Sequence, residues 1–240
     1  MENWQDVIGK ITCGDCLDVL KQLPDSCVDL VLTDPPYRVI SGGRGDEISR
    51  LKWNSPLGIL SKNDGKIFKH NDIDFNDWVP EVYRVLKNNS DFYCMTNTIN
   101  MFKLYEVCLK CGFRLHNVLV WEKNNATPNR WYMKNCEYTL FFYKGNAKSI
   151  NNMSSKTVHK FTNPSNEYHP TQKPVELFEL YVGNSSNEND LVLDCFSGSG
   201  TTAVACHKLK RRFICIEKDP EYWKASCERL EQEQKQQMLF

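Results

Sequence analysis

The chain has 240 residues, of which 41% are hydrophobic and 25% are charged, and its formal net charge at pH 7 is zero. This composition is typical of a globular protein with one α/β domain and room for a small insert, and it excludes fibrous and disordered chains. No apolar run approaches membrane-spanning length, and residues 1–6 lack the pattern of a signal peptide. We therefore expect a soluble, cytoplasmic protein that does not bind a membrane.

The chain contains 11 cysteines, an odd number. Most lie in apolar runs or helix-like stretches, where a free cysteine behaves as a small hydrophobic residue, and this pattern indicates a reducing compartment. Two Cys-x-x-Cys pairs, Cys13/Cys16 and Cys108/Cys111, could together supply four zinc ligands. Neither pair lies in a glycine-rich knuckle and the second has helical spacing, so we predict no metal site.

Apolar residues recur with strand-like and helix-like periods in turn along the chain, which predicts an α/β fold. In chain order we predict a strand at 8–13, helix 15–23, strand 28–33, helix 74–86, strand 91–96, helix 100–110, strands 113–121 and 136–143, helix 175–182, strand 191–195, helix 201–209, strand 213–217 and helix 220–236. Asp15 is a plausible N-cap and Gly112 a helix stop, whereas Pro80 moves the expected start of the second helix towards Asp77. The alternation predicts a mostly parallel sheet with helices on both faces.

Two segments lack a sustained period, a loop insert at about 38–73 and a region at about 124–168. A loop as long as the first is usually a lid, a binding element or disordered. The second opens with a loop in which basic and aromatic residues are interleaved and continues as a polar surface insert. Both segments carry more Lys and Arg than Asp and Glu, so they could form one positive face for a polyanion, although solvated loops would have the same composition.

The first candidate site follows the predicted strand at 28–33, where the chain continues as Asp34-Pro35-Pro36-Tyr37. The two prolines fix φ and remove two backbone donors, so the chain leaves the sheet as a stiff, extended corner. Such a corner holds a carboxylate, an unpaired carbonyl and an aromatic ring in fixed relation, which suits a planar substrate that donates hydrogen bonds. An ordinary strand exit would also explain these residues.

A second candidate site is the glycine-rich turn between the predicted strand at 191–195 and the next helix. Gly198, Gly200 and Ala203 match G-x-G-x-x-A, and Glu217 ends the following strand, where an acidic residue reaches ribose hydroxyls. The turn therefore predicts a nucleoside-containing cofactor. Asp194 places a carboxylate where a dinucleotide pyrophosphate would bring negative charge, and this favours a cationic cofactor such as S-adenosylmethionine.

Three motifs together carry a family resemblance: Asp34-Pro35-Pro36-Tyr37, His169-Pro170-Thr171-Gln172-Lys173-Pro174 and Asp194-Cys195-Phe196-Ser197-Gly198-Ser199-Gly200. Their types and their order resemble the β group of DNA amino-methyltransferases, and the resemblance covers nearly the whole chain. It implies a single catalytic domain over 1–240 with a Rossmann-like, seven-stranded, mostly parallel sheet and one reversed strand. The domain would include the loop insert at about 38–73 and a short target-recognition region at about 124–168. It also implies transfer of a methyl group from S-adenosylmethionine to the N6 amino group of a flipped-out adenine in double-stranded DNA.

The resemblance also implies roles for individual residues. The catalytic corner that holds the base would be Asp34, Pro35, Pro36 and Tyr37. The cofactor site would contain Asp15, Cys16, Thr171, Lys173, Asp194, Phe196, Gly198, Gly200, Thr201 and Glu217, with Glu217 at the ribose and Lys173 near the cofactor carboxylate. The DNA-binding residues would be Arg38, Arg44, Lys123, Arg130, Trp131 and Tyr132.

Several alternatives remain open at this point. Methylation of cytosine N4 needs the same corner, although in this family an Asp in the first motif position favours adenine. Methylation of cytosine C5 needs a thiolate, typically after proline, and no proline of this chain precedes a cysteine. An NAD-dependent oxidoreductase would use the glycine turn but leaves the corner unexplained, and a DNA-binding module without activity would not need intact motifs. The sequence leaves open a homodimer and a cognate restriction nuclease.

Overall fold

The structure is a computed structural model that describes residues 3–36, 73–127, 132–165, 168–169 and 171–237. The chain divides into two compact units, Met1–Pro35 with Asp74–Phe240, and Pro36–Ile73. Only Pro36 and Ile73 of the second unit are described, so the predicted loop insert at about 38–73 lies almost wholly outside the described residues. All the helices and strands below belong to the first unit.

The described residues form one sheet of eight strands and six α-helices, preceded by a short 3-10 helix at Trp4–Val7. The strands are β1 (Lys10–Cys13), β2 (Val28–Thr33), β3 (Leu86–Thr96), β4 (Arg114–Thr127), β5 (Lys134–Lys144), β6 (Val158–Lys160), β7 (Leu191–Asp194) and β8 (Arg212–Glu217). The helices are α1 (Cys16–Leu20), α2 (Phe75–Val85), α3 (Met101–Cys111), α4 (Val175–Ser185), α5 (Thr201–Lys208) and α6 (Pro220–Gln237). Every predicted element therefore has a counterpart.

The strand order is β1-β8-β7-β2-β3-β5-β4-β6, and β5 is antiparallel to both of its neighbours while the other pairs are parallel. One reversed strand was predicted, and β5 is that strand. The carboxyl ends of the parallel strands share one edge of the sheet, which is where ligands bind in folds of this kind. The amino end of the reversed strand β5 lies at the same edge.

The side chains of the central strands β2 and β7 are buried on both faces of the sheet. Every residue of β7 is buried, as is every residue of β2 except Asp29. Leu30, Leu32 and Val192 pack with the apolar face of α4 in the main core. Near-continuous apolar runs of this kind are typical of strands buried on both faces of a parallel sheet.

The start of α2 differs from the prediction. The helix begins at Phe75, so Pro80 is its sixth residue, and the expected start nearer Asp77 was wrong. The Asp74 side chain accepts from the Asn76 N–H at 3.0 Å, and the Asp77 side chain accepts from the Asp74 N–H at 3.2 Å. This reciprocal capping box stabilises the first turn ahead of the proline, which costs a single backbone hydrogen bond near the helix start.

The sheet has eight strands rather than the predicted seven because β6 forms within the polar segment predicted as a surface insert. Val158 pairs with Val120 of β4, and Trp121 donates from Nε1 to the Phe161 carbonyl at 2.9 Å, which fixes the following residues. Three residues are too few to show a period, so sequence patterns cannot reveal such a strand. β4 and β5 are also longer than predicted and continue as a hairpin beyond the predicted strand ends.

The two Cys-x-x-Cys pairs lie on separate elements of the fold. Cys13 is exposed at the end of β1 and Cys16 is buried in α1, while Cys108 is buried in α3. Within the described ranges, no group of three or more His, Cys, Asp or Glu side chains is placed to hold a metal ion. Nor does any helix of those ranges have the length and apolar character needed to cross a membrane.

Candidate active site

Two carboxylates, Asp34 and Asp194, follow or end the neighbouring parallel strands β2 and β7. Thr33 donates from Oγ1 to Asp194 Oδ1 at 2.7 Å, and the Phe196 N–H donates to the same oxygen at 3.0 Å. Thr202 Oγ1 donates to the other oxygen of Asp194. Asp194 is 2% exposed, and this burial raises the pKa of its carboxyl to about 6 although the three donors oppose the shift. Asp194 thus joins the ends of both strands to the first turn of α5.

A chain of alternating charges occupies the other side of this edge. The Lys173 ammonium donates to Asp34 Oδ2 at 2.5 Å and to the Thr171 carbonyl at 3.1 Å. The same Nζ lies 3.5 Å from Glu137 Oε2, and the Lys123 ammonium pairs with Glu137 Oε1. Two carboxylates and two ammonium groups therefore alternate from the end of β2 to the base of the β4–β5 hairpin.

This arrangement sets the charge of Lys173 and Glu137. Burial disfavours the Lys173 ammonium, but the carboxylates of Asp34 and Glu137 outweigh it, so the pKa of Lys173 is raised. Burial likewise disfavours the Glu137 carboxylate, but Lys173 and Lys123 outweigh it, so the pKa of Glu137 is lowered. Both groups are charged at neutral pH, and each is the reason that the other can stay charged while partly or fully buried.

The glycine-rich turn has the conformation that its sequence predicts. Gly198 and Gly200 have φ values of +50° and +75°, in the left-handed region that favours glycine. A Cβ atom at Gly200 would lie 3.1 Å from the Ser226 Cβ and 3.2 Å from the Ile11 Cδ1, so the turn packs tightly against α6 and β1. Arg229 of α6 donates to the Ser199 carbonyl at 3.0 Å and holds the turn from below.

Glu217 and Asp15 stand at the ends of β8 and β1, beside the turn. Glu217 accepts from the Gly198 N–H at 2.7 Å and from the Asp219 N–H at 2.8 Å; burial raises its pKa and these backbone donors oppose the shift. Asp15 caps α1 as predicted, accepting from the Leu17 N–H at 2.9 Å. Burial opposes its charge, but Lys218 and the Leu17 N–H more than compensate, so the pKa of Asp15 is lowered.

The other predicted cofactor residues lie around the same turn. Phe196 is half-buried and packs edge-to-face against Trp78 with ring centroids 5.1 Å apart. Cys16 is buried at the start of α1, where burial and Asp15 raise its pKa to about 12. Thr201 is buried and accepts from Arg229 at 3.1 Å, so its side chain supports the turn from the interior. Their contacts with a cofactor stay predictions.

Residues 168–169 and 171–173, which we call the strap, connect the turn to Asp34. The His169 ring packs edge-on against Tyr222 with centroids 4.3 Å apart, and its Nδ1 accepts from the exposed Thr171 at 3.2 Å (N–H) and 3.1 Å (hydroxyl). Burial and the Lys173 charge lower the pKa of His169 to about 4, so the ring is neutral. The strap carries Lys173, predicted beside the cofactor carboxylate, to Asp34; a contact with the cofactor stays a prediction.

Of the predicted DNA-binding residues, the structure describes two. Lys123 lies on β4 with its ammonium 5.0 Å from the centre of the Trp121 ring and paired with Glu137. Tyr132 is 94% exposed next to the start of β5. The remaining predicted residues of the base and DNA sites lie outside the described residues: Tyr37, Arg38, Arg44, Arg130 and Trp131.

Two residues of the site were missed in the sequence. Glu137 is the only charged residue of the predicted strand at 136–143, which is otherwise mostly apolar, and a charge in such a run is a signal that could have been used. Arg229 is 5% exposed although it lies on a helix rich in charged residues. Its guanidinium Cζ lies 5.5 Å from the centre of the Tyr168 ring of the strap. Helical spacing from the buried Ser226 places Arg229 on the inner face of α6, which is the corresponding signal there.

Comparison with known proteins identifies the family to which this site belongs. A family model described as DNA methylase, N6_N4_Mtase, matches residues 28–228. The chain belongs to this family of DNA methylases. Type II methyltransferase M2.MboI of Moraxella bovis is 28% identical over 233 residues, which are 89% of this chain and 84% of the relative. Type II methyltransferase M2.LlaDCHI of Lactococcus lactis subsp. cremoris is 29% identical over 244 residues, 90% of this chain and 87% of the relative.

Solved structures of DNA methyltransferases share the fold of this DNA methylase. The crystal structure of M1.HpyAVI is 25% identical with a TM-score of 0.68, and the match covers 92% of this chain and 98% of the other. PvuII DNA methyltransferase, which is cytosine-N4-specific, is 19% identical with a TM-score of 0.67 over 90% of this chain and 84% of the other. The predicted Rossmann-like fold is confirmed, and the oxidoreductase alternative does not fit this family.

Proposed function

We propose that this DNA methylase transfers a methyl group from S-adenosylmethionine to the exocyclic N6 amino group of an adenine flipped out of double-stranded DNA. The observation that carries the proposal is the position of Asp34. Asp34 directly follows β2 and begins a rigid Asp-Pro-Pro corner. β2 pairs with β7, the strand that leads into the glycine turn. A base amino group held at Asp34 and a methyl donor held at the turn would therefore meet at one edge of the sheet.

The chemistry explains why a carboxylate is needed there. An exocyclic amino nitrogen is a poor nucleophile because its lone pair is delocalised into the ring. If Asp34 and the Pro35 carbonyl each accept one N–H, the nitrogen becomes pyramidal and its lone pair points at the methyl group. The corner would act by positioning and by electrostatic stabilisation of the cation that develops as the N–CH3 bond forms and the S–CH3 bond breaks, without covalent catalysis. S-adenosylhomocysteine would leave, and the methylated nitrogen would lose one proton to solvent. Extrusion of the base, with Tyr37 stacked on it, brings the amino group within reach.

S-adenosylmethionine supplies an electrophilic methyl group on a sulfonium, and the residues around the turn fit this cofactor. Glu217 uses its two oxygens for backbone N–H groups, yet each oxygen keeps a second lone pair for a ribose hydroxyl. Asp194 and Asp15 add negative charge, which suits a cofactor with a sulfonium and an ammonium. The chain of M1.HpyAVI in a crystal structure of its complex with SAM is 26% identical to this chain.

Adenine is proposed over cytosine because Asp34 occupies the first position of the motif, where the family resemblance associates Asp with adenine. The fold is shared with a cytosine-N4-specific enzyme, so fold similarity does not distinguish the two bases. Methylation of cytosine N4 at the same corner is the second candidate. We propose that the DNA is bound by Lys123 and Tyr132 together with Arg38, Arg44, Arg130 and Trp131.

The direct test is to express the protein in a host without DNA methylation and to map modified bases by single-molecule sequencing. We expect N6-methyladenine in one short sequence motif, and a much smaller fraction of modified sites when Asp34→Asn is expressed at the same level. N4-methylcytosine in a short motif would replace the adenine proposal by the second candidate. An unmodified genome in the presence of folded wild-type protein would contradict both.

A further inference from the structure

Asp34, which is proposed to bind the amino group of the base, is already hydrogen-bonded to Lys173. An amino group that binds Asp34 in the Lys173 position on Oδ2 must displace this ammonium, which donates to that oxygen at 2.5 Å. Lys173 is buried, so an ammonium that lost Asp34 could not be rescued by bulk water. Leaving a buried charge without a partner is strongly unfavourable. An amino group that takes the Lys173 position on Oδ2 therefore leaves the ammonium in need of a second anionic partner.

Glu137 is placed to be that acceptor. Its Oε2 lies 3.5 Å from the Lys173 Nζ, and a movement of roughly 0.5 Å would turn this contact into a charge-assisted hydrogen bond. Its other oxygen is held by Lys123, so the carboxylate is oriented with Oε2 towards Lys173. The Thr171 carbonyl, 3.1 Å from the same Nζ, can remain bound throughout.

We propose that Glu137 is a positioning residue that receives the Lys173 ammonium when the target amino group takes its place on Asp34. This inference rests on the proposed function, since it assumes that Asp34 binds an amino group. Before the base arrives, Lys173 keeps Asp34 paired. When the base enters, its amino group takes the Lys173 position on Asp34 Oδ2 and the ammonium moves onto Glu137, so Lys173 keeps an anionic partner. No proton is transferred in this exchange.

The exchange makes Glu137 matter only for a base that carries the amino group. In the Glu137→Gln variant the ammonium has lost its second anionic acceptor and competes with the base for Asp34. We expect single-turnover methyl transfer to slow by about tenfold or more, the effect of one lost charge-assisted hydrogen bond. Glu137→Gln also releases Lys123, a proposed DNA contact. The readout is therefore the preference for adenine over purine at the target, which lacks the amino group, and not binding to either duplex alone.

The measurement uses the full-length protein with S-adenosylhomocysteine and two duplexes of the mapped recognition sequence, one with adenine and one with purine at the target. We expect wild type to prefer adenine and Glu137→Gln to lose about tenfold of that preference. In a Lys173→Met background, where no ammonium remains, adding Glu137→Gln should change the preference little. Glu179→Gln is the matched control, because Glu179 pairs with Lys208 at 3.0 Å and is 28% exposed against 29% for Glu137.

Three results would overturn the inference alone: unchanged preference in Glu137→Gln, equal weakening of both duplexes, or the same loss in the Lys173→Met background. A wild type that transfers no methyl group would overturn the proposed function and this inference with it. A measurement on wild type avoids dependence on folding of the variants. The ¹⁵Nζ resonance of Lys173 should shift on adding the adenine duplex and not the purine duplex; an identical response to both would also contradict the exchange.

Discussion

Asp34 and Asp194 come from neighbouring parallel strands, yet their surroundings differ. Asp34 is paired with the buried ammonium of Lys173, and the charges around it alternate through Glu137 to Lys123. Asp194 instead accepts from two hydroxyls and one backbone N–H, and burial raises its pKa to about 6. Neutral donors leave the charge of Asp194 largely uncompensated, whereas Lys173 compensates that of Asp34. This difference fits the proposed function, in which Asp194 faces a cationic cofactor and Asp34 exchanges Lys173 for the base.

The largest expected effect comes from removing the charge on the base side. Asp34→Asn should lower single-turnover methyl transfer by about 10²–10³-fold, the cost of losing one preorganised electrostatic contact to the transition state. Glu137 still pairs with Lys173, so the variant should fold. Binding of S-adenosylhomocysteine, measured by calorimetry, should be unchanged. A variant that methylates DNA at the wild-type rate would contradict the role of Asp34.

On the cofactor side, the buried Asp194 carboxyl should make the stability of the protein depend on pH. Asp194 has a folded pKa of about 6 against 3.8 for the ordinary carboxyl. Because the folded pKa is raised, its contribution is fully present below pH 3.8 and is lost as pH rises through 6, by about 3 kcal/mol in total. Urea unfolding of wild type and Asp194→Asn between pH 4 and 7 isolates this group.

The free energy of unfolding of wild type should fall relative to that of Asp194→Asn as pH rises through this window. A difference that stays constant, or that grows in favour of wild type, would show that the carboxyl is not strained by burial.

The positions of the two carboxylates were predictable, since each lies at the end of an apolar run that reads as a buried strand. Gly198 and Gly200 were predictable for the same reason, as a glycine turn must follow the second run. The partners of the carboxylates were not. Lys173 and Glu137 are 36 positions apart, and only the pairing of β5 with β3 and the path of the strap bring them together. Buried charge pairs of this kind have no local sequence period.

Boundaries show the same distinction between local and long-range causes. Asp15 and Gly112 were predicted as a helix cap and a helix stop because capping depends on adjacent residues, and both are confirmed. The start of α2 was wrong because Pro80 was weighed without the capping box of Asp74 and Asp77. β6 was missed because its pairing with β4, over residues almost 40 positions apart, is what makes it a strand.

A smaller effect is expected from filling the space at the glycine turn. Gly200→Ala places a Cβ 3.1 Å from the Ser226 Cβ at a φ of +75°, so we expect a loss of about 1–3 kcal/mol in the free energy of unfolding. Gly14→Ala is the matched control, because nothing lies within 4 Å of a Cβ there. Thermal unfolding of both variants checks this, and equal melting temperatures would contradict the tight packing of the turn against α6.

The smallest expected effect is a difference in the pH dependence of binding between the sulfonium cofactor and its product, which has lost the sulfonium charge. A sulfonium near Asp194 favours the ionised carboxyl, so binding of S-adenosylmethionine should release protons at and below the pKa of about 6. Its affinity should then weaken by up to about tenfold per pH unit below that value, more steeply than that of S-adenosylhomocysteine. Calorimetry in two buffers of different ionisation enthalpy measures the protons, and identical pH profiles would contradict the comparison.

The most direct test of the whole account is mass spectrometry of nucleosides from unmethylated plasmid DNA incubated with the protein and methyl-deuterated S-adenosylmethionine. At a time when wild type has modified only part of its sites, the account predicts deuterated N6-methyldeoxyadenosine from wild type and at least about 10²-fold less from Asp34→Asn. Deuterated N4-methyldeoxycytidine in its place, or deuterated N6-methyldeoxyadenosine at equal yield from Asp34→Asn, would contradict it.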